Sequence, residues 1–362
     1  MMIQENKIGV AIVGCGYWGV NYVRVFDQLP ETFVAVICDK NVERLVEIGE
    51  RFPDAAVTHD VEQMLQMPTV DVVVVATGAT THYPVVKRCL EANKPVLVEK
   101  PMTTTVEESL DLVKTAQERN LTLMVGHIFL YNSGVEKVRE LVEHPDMGQL
   151  YYLYSRRTNL GPIRHDVNAL WDLAPHDISV FNELVGEMPV WVSATGSKLL
   201  GNAREDVGFI TLGYRNNVIG NIHVSWADPN KVREMVVVGS NKRIVFDDTQ
   251  ALERVKIYEK GVEVVHGAGA ESFGEEFQMR DGDIYSPYIK ASEPLKRQCR
   301  HFLDCAMNGK RPITDARAGL EIVQVMVAIQ RSMASKGSPV PIEQLLPTEP
   351  KTEYHNLAVA AD

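Results

Sequence analysis

Up to about residue 125 the chain alternates short runs that are apolar at every position with longer stretches in which apolar residues recur every three or four. The runs IGVAIVG, FVAVICD, VDVVVVAT, KPVLVEK and LTLMVGH read as strands. Between them VERLVEIGERF, YPVVKRCLEAN and VEESLDLVKTAQERN read as helices, the last opened by a capping-box pattern at Thr105 and Glu108. Strands apolar on both faces and separated by helices predict a parallel sheet covered on both sides. Beyond Tyr151 the period changes to two. LYYLYSRR, VWVSATGSKLL, VGFITLGYR, NVIGNIHVSWA and EMVVVGS are longer, rich in alternation, and punctuated by the turn signals NN, DP and SN, which predicts antiparallel sheet. Two helices follow, around 294–308 and 315–335, and a polar tail from about Pro347 has the composition of a disordered segment. The pattern therefore predicts an α/β protein in two domains: residues 1–125 with a parallel sheet, residues 126–346 as an α+β domain with a large, mainly antiparallel open sheet, and the tail 347–362.

Composition agrees. A chain of 362 residues is long for one core and suits two domains, and 45% hydrophobic with 23% charged residues is an ordinary globular balance. Cys15, Cys38, Cys89, Cys299 and Cys305 are odd in number, scattered and without a CxxC pair, which points to reduced thiols in the cytoplasm. The opening MMIQENK lacks the basic start and apolar stretch of a secretory signal, and no apolar run approaches the roughly 18 residues of a membrane span. A net charge of −11 argues against a nucleic-acid surface, so an anionic ligand must be held locally.

Local chemistry begins at GCGYWG, which supplies Gly14, Gly16, Tyr17, Trp18 and Gly19. A GxGxxG turn is common by itself, but this one follows the strand IGVAIV and opens a helical pattern, and the acidic Asp39 ends the next strand. Together these predict a Rossmann dinucleotide site. Gly14 makes the turn, Gly16 lets the backbone approach a pyrophosphate and Gly19 lets the helix pack on the sheet, while the helix N-terminus faces the phosphates. Asp39 is placed to bond the adenosine ribose hydroxyls, which favours NAD over NADP, although Lys40 and Arg44 stand nearby. Thr77 and His82, in the loop ATGATTHYP after the strand VDVVVVAT, are expected to line the cofactor channel.

At the end of the strand KPVLVEK stands EKP, Glu99–Lys100–Pro101, at the carboxyl edge where open parallel sheets bind ligands. Later comes WDLAPHD, with Asp172 and His176, read as the start of a helix that begins near Pro175 and ends before Gly186. In that reading His176 occupies the first turn. There the helix dipole disfavours an imidazolium by about 0.3–1 kcal/mol, whereas a carboxylate at ~4 Å favours it by about 4 kcal/mol at an effective dielectric near 20.

GCGYWG, VEKP and WDLAPHD, in this order and spacing, resemble the Gfo/Idh/MocA family, sugar dehydrogenases of the glucose-fructose oxidoreductase and inositol dehydrogenase type, over nearly the whole chain. The resemblance implies an NAD-dependent dehydrogenase acting on CH–OH groups, with the family's EKP lysine at Lys100, a cis peptide before Pro101, and its D-x-x-x-H pair at Asp172 and His176. It implies hydride transfer between a substrate carbinol carbon and nicotinamide. His176 then takes the hydroxyl proton, Asp172 orients it and Lys100 bonds the developing alkoxide, with the choice of Lys100 or His176 as proton acceptor left open. Glu99 and Lys100 count with the cofactor-binding set. GHIFLYN departs from the polar or arginine-bearing version found in many relatives.

YSRRTNLGPIRHDVNALWDLAPHD leads into the catalytic pair and carries Arg156, Arg157 and Arg164 with Asn159 and Asn168. This segment resembles nucleotide-sugar oxidoreductases of the same family, of the UDP-N-acetylglucosamine 3-dehydrogenase type. It implies a nucleotide sugar oxidised at a ring hydroxyl, at C3, with Arg157 and Arg164 near the diphosphate and Asn159, Asn168 and His176 at the substrate. The alternatives are a dehydrogenase of a free sugar or inositol, and an NAD-binding sensor without catalysis. A metal site gathering His127, His165, His176 and Asp177 fits no ligand spacing. The second domain is expected to bind substrate and to leave a sheet face bearing Trp191, Val218 and Ile222 exposed, so that the protein assembles as a homodimer or homotetramer.

Overall fold

A computed structural model describes residues 7–347 apart from 162, 165, 202 and 266–275, so His165 and the tail 348–362 lie outside the described residues. The chain divides into two compact units. One comprises residues up to Tyr131 together with Glu293–Val327, and the other comprises Asn132–Ser292 with Ala328–Pro347. Residues 293–327, read from the sequence as part of the second domain, thus pack with the first.

In the first unit β1 (Ile8–Val13), β2 (Thr32–Cys38), β3 (Ala56–Thr58), β4 (Val72–Val75), β5 (Val96–Glu99) and β6 (Leu123–Gly126) form one sheet in the order β3-β2-β1-β4-β5-β6. All its pairings are parallel. The intervening helices are α1 (Tyr17–Gln28), α2 (Val42–Arg51), α3 (Val61–Leu65), α4 (His82–Glu91) and α5 (Val106–Glu118). Thr105 caps α5 by accepting the Glu108 N–H, as the capping box predicts. Apart from the edge strand β3, the strands are buried on both faces because every connection crosses back over the sheet as a helix. The short β3 was not among the predicted strands. Strand order reverses between β1 and β4, which opens a crevice at their carboxyl ends.

The second unit holds α6 (Ser133–Glu143), β7 (Leu150–Thr158), α7 (Ala169–Val185), β8 (Trp191–Ser197), β9 (Val207–Gly213), β10 (Ile219–Ser225), β11 (Val232–Gly239), β12 (Arg243–Asp247), β13 (Val255–Tyr258), β14 (Gly261–Val265), β15 (Glu276–Arg280) and β16 (Ile284–Tyr285). The chain then forms α8 (Pro294–Asn308) and α9 (Ala316–Ala334) and ends its described course at β17 (Val340–Pro341). A nine-stranded sheet runs β16-β13-β12-β11-β7-β10-β9-β8-β17, antiparallel except for the β7–β10 pair, and β14 with β15 forms a separate hairpin.

One face of the large sheet carries Leu153, Ile210, Leu212, Ile222, Val224, Met235 and Phe246, all buried, and α7 lies against it. Its close approach needs glycine beneath it: a Cβ on Gly208 would meet Leu170 at 2.6 Å, and one on Gly220 would meet Phe181 at 2.8 Å. Val218 and Ile222 are therefore buried, contrary to the expectation that they are exposed. The open face instead carries Tyr152, Tyr154, Phe209 and His223, with Trp191 half-buried over Gly213. Alternation was visible in the sequence, but which set faced the helices depended on α7 itself. Among the described residues no helix is long and apolar enough to cross a membrane, and all five cysteines are unpaired and buried.

Candidate active site

The glycine turn has the geometry its spacing predicts. Gly14 sits at φ +95°, where a Cβ would press the Ala76 carbonyl oxygen at 2.7 Å. At Gly19 a Cβ would lie 1.8 Å from the Gly14 carbonyl oxygen, so α1 can start this close to β1 only with glycine there. The space at Gly16 is open, its nearest foreign atom being an Arg44 guanidinium nitrogen at 4.0 Å. No side chain caps α1, and Tyr17 at its first position is fully exposed with Trp18 edge-on against it. These amides are thus available to a pyrophosphate. Asp39, at the end of β2, accepts the Cys15 N–H at 2.6 Å with one carboxylate oxygen and the Asn41 N–H at 2.8 Å with the other. The carboxylate is thereby fixed to the glycine loop, where a dinucleotide cradle needs its ribose ligand. These residues fit NAD.

EKP finds its explanation in the same unit. Glu99 is buried, and Tyr22 of α1 donates to its carboxylate at 2.7 Å while the Lys100 N–H donates at 3.1 Å. Gln298 of α8 donates in turn to the Tyr22 oxygen at 2.8 Å. Burial, then the Glu99 charge, hold the Tyr22 phenol well above its ordinary pKa, so it stays a donor. Glu99, counted with the cofactor-binding set, is thus held as an anchor of the strand end. The next residue, Lys100, is 6% exposed, and the peptide to Pro101 is cis. His82 does not line an open channel. It is buried, with Nδ1 2.7 Å from the Pro101 carbonyl oxygen and Nε2 3.0 Å from that of Thr77, so it braces the loop after β4 to the turn after β5. Thr77 meets Thr81 through their hydroxyls at 2.9 Å.

In the second unit α7 begins at Ala169, well before Pro175. Asn168 is its N-cap, accepting the Trp171 N–H at 3.0 Å, while its amide donates to Glu205 at 2.9 Å. A proline removes only one intrahelical bond, and burial of Leu170 and Trp171 keeps the turns before it helical. Asp172, not His176, is therefore the first-turn residue, and the dipole favours its carboxylate. His176 lies four residues on, on the same helix face and buried. Asn168 serves as cap rather than substrate ligand, and Asn159 lies in the loop after β7 with its N–H on the Ser225 carbonyl.

The arginines also take structural partners. Arg157 points to the helix-covered face and binds Asp177 of α7 bidentately, at 2.7 and 3.0 Å, both residues buried. Arg164 binds Asp166 at 2.6 and 2.9 Å and Asp172 at 3.2 Å. Arg156 alternates to the other face and is exposed. With its fork taken up by Asp177, Arg157 is not the diphosphate ligand expected of it, and Arg164 is shared between two carboxylates. Among the described residues no three His, Cys, Asp or Glu side chains gather as a metal site. The structure adds one residue, His127, which sequence reasoning weighed only as a metal ligand; it follows β6, is 2% exposed, and burial with the nearby Lys100 charge pushes its pKa down to about 3.

A family model described as "Oxidoreductase family, NAD-binding Rossmann fold" matches residues 8–127, and its companion "Oxidoreductase family, C-terminal alpha/beta domain" matches residues 163–342. The chain is 30% identical to the inositol 2-dehydrogenase of Rhodococcus jostii over 190 residues, spanning about half of each protein, 51% of this chain and 52% of that one. To the UDP-N-acetylglucosamine 3-dehydrogenase of Acidithiobacillus ferrooxidans it is 26% identical over 88% of this chain and 96% of that one. Among solved structures it resembles GenD2 from gentamicin A biosynthesis, in complex with NAD, with a TM-score of 0.79 at 23% identity over 95% of this chain and 98% of that one.

Removing Arg157 leaves the buried Asp177 carboxylate without its counter-charge. Arg157→Ala should cost about 3–5 kcal/mol in urea unfolding, and a loss under about 1 kcal/mol would show that the pair does not hold α7. Asp39→Ala should narrow the ratio of kcat/KM for NAD over NADP by roughly tenfold, the worth of one hydrogen bond to a charged group. An unchanged ratio would place Asp39 away from the ribose.

Proposed function

Since this chain belongs to the Gfo/Idh/MocA oxidoreductase family, we propose that it transfers a hydride between a ring hydroxyl carbon of a sugar and NAD. The observation that carries this reading is the Asp172–His176 pair, one helical turn apart on α7 with His176 buried, in a chain whose β5 is followed directly by a buried lysine. Bound NAD supplies the hydride acceptor. In the oxidation, His176 takes the hydroxyl proton, Asp172 keeps the ring oriented and favours its imidazolium form, and Lys100 bonds the developing alkoxide. Lys100 serves as the proton acceptor in the variant form of this mechanism.

For the substrate we propose a nucleotide sugar of the UDP-N-acetyl-hexosamine class, oxidised at C3. The near full-length similarity to a UDP-N-acetylglucosamine 3-dehydrogenase supports it. A free sugar or inositol is the second reading, and it is favoured by the engagement of Arg157 and Arg164 with carboxylates, which leaves their local charge balanced. We place the protein in the cytoplasm, where its unpaired thiols stay reduced. It assembles as a homodimer or homotetramer through the open sheet face, where Tyr152 is 45% and Phe209 51% exposed.

Lys100→Ala and His176→Ala should each abolish turnover with little change in NAD affinity, and near-normal rates in both would remove the catalytic assignment. By calorimetry on the NAD complex, UDP-N-acetyl-hexosamines should bind more tightly than the free sugars. Equal affinities return the protein to the second reading, and tight NAD binding without turnover of any sugar makes it a sensor. Light scattering at micromolar concentration should give a multiple of the chain mass, and a monomer would contradict assembly through this face.

A further inference from the structure

Strands β5 and β6 are neighbours, with Glu99 opposite Gly126, so Lys100 and His127 are the next residues of the two strands at the ligand-binding edge. Both are buried. The Lys100 ammonium is a cation with donors in excess. Beside it stands an imidazole whose two ring nitrogens are buried and meet no hydrogen-bond partner among the described residues. An unmade hydrogen bond of this kind costs about 1–3 kcal/mol, and an apolar side chain of similar shape would avoid the cost. Groups kept at such a cost cluster at functional sites. Nearby, Glu99 is engaged with Tyr22 and the Lys100 N–H, and Arg297 of α8 with the Tyr131 carbonyl.

We propose that His127 is a positioning residue for hydride transfer, acting through Lys100: its neutral ring is the buried acceptor that takes one ammonium hydrogen in the loaded enzyme and thereby aims the others at the substrate oxygen. The inference rests on the hydride-transfer reading above. Such bonds are commonly unmade in the free protein and close in the substrate complex, so the unpartnered nitrogens are those of a site waiting for its ligand. Burial, and then the neighbouring Lys100 charge, hold the ring neutral, its pKa pushed down to about 3, so that a lone pair is present throughout the working pH range. A protonated ring has no lone pair to offer.

The test compares His127→Leu, which removes the acceptor, with His127→Gln, which keeps one. In His127→Leu, kcat should fall at least about tenfold, with KM and NAD affinity within about twofold of the wild type and a melting temperature unchanged or raised, since a buried polar group without partners is gone. His127→Gln should recover a good part of kcat. Wild-type kcat in His127→Leu overturns the proposal, and so does a fall in kcat accompanied by lost NAD affinity and a lowered melting temperature in both variants. Should the wild type turn over no sugar or polyol, the hydride-transfer reading fails by itself, and nitrogen NMR of the ring still decides the pairing. The His127 resonances should be those of a neutral imidazole at about pH 5 and should move in Lys100→Met. Resonances that are the same in Lys100→Met overturn the proposal.

Discussion

The buried carboxylate of Glu99 is the point on which the site depends. A charged group taken out of water is tolerated only when donors surround it, and here they come from α1 through Tyr22, from the Lys100 backbone, and at one remove from Gln298 of α8. The same oxygen leaves room for a neighbour only because Gly126 has no side chain, since a Cβ there would sit 3.2 Å from it. Two elements far apart in the chain, α1 and α8, are thus tied to the last residue of β5, and the lysine that follows begins from a fixed backbone. His82 adds a brace from the adjacent loop to the Pro101 carbonyl. Of the charged pair at the strand's end, Glu99 is the member that anchors it.

The second unit solves the same problem with the opposite charge. Arg157 and Asp177 lock α7 to the central strand β7, one residue beyond His176. Such a pair gains little stability over a well-packed apolar one, but breaking it exposes an uncompensated charge, so it specifies register more than it adds stability. Arg164 similarly holds Asp172 beside Asp166. Arg157 and Arg164, two of the arginines that suggested an anionic ligand, therefore hold residues of α7. His127, beside Lys100, is the contrasting case, its two ring nitrogens meeting no hydrogen-bond partner among the described residues.

Much of this protein is legible in its sequence, for a local reason. Strands apolar at every position, the change of period beyond Tyr151, a turn that must adopt positive φ at Gly14, and an acidic residue after the next strand are consequences of backbone geometry within a few residues of one another. From them follow the dinucleotide fold, its glycine roles and Asp39, and the spacing of Asp172 and His176 places both on one side of a helix whatever its first residue.

What only the tertiary structure decided is which partner each polar group takes. Arg157 meets Asp177 at a separation of 20 residues, Tyr22 meets Glu99 at 77, and Gln298 meets Tyr22 at 276. No periodicity spans such distances, so the sequence shows the charges but not their pairing. For the same reason α7 starts at Ala169 rather than near Pro175, because burial of Leu170 and Trp171 outweighs the proline's stop signal, and Ile222 faces that helix rather than solvent. Backbone conformation is set by neighbours along the chain, whereas burial and charge compensation are set by whatever the fold brings alongside.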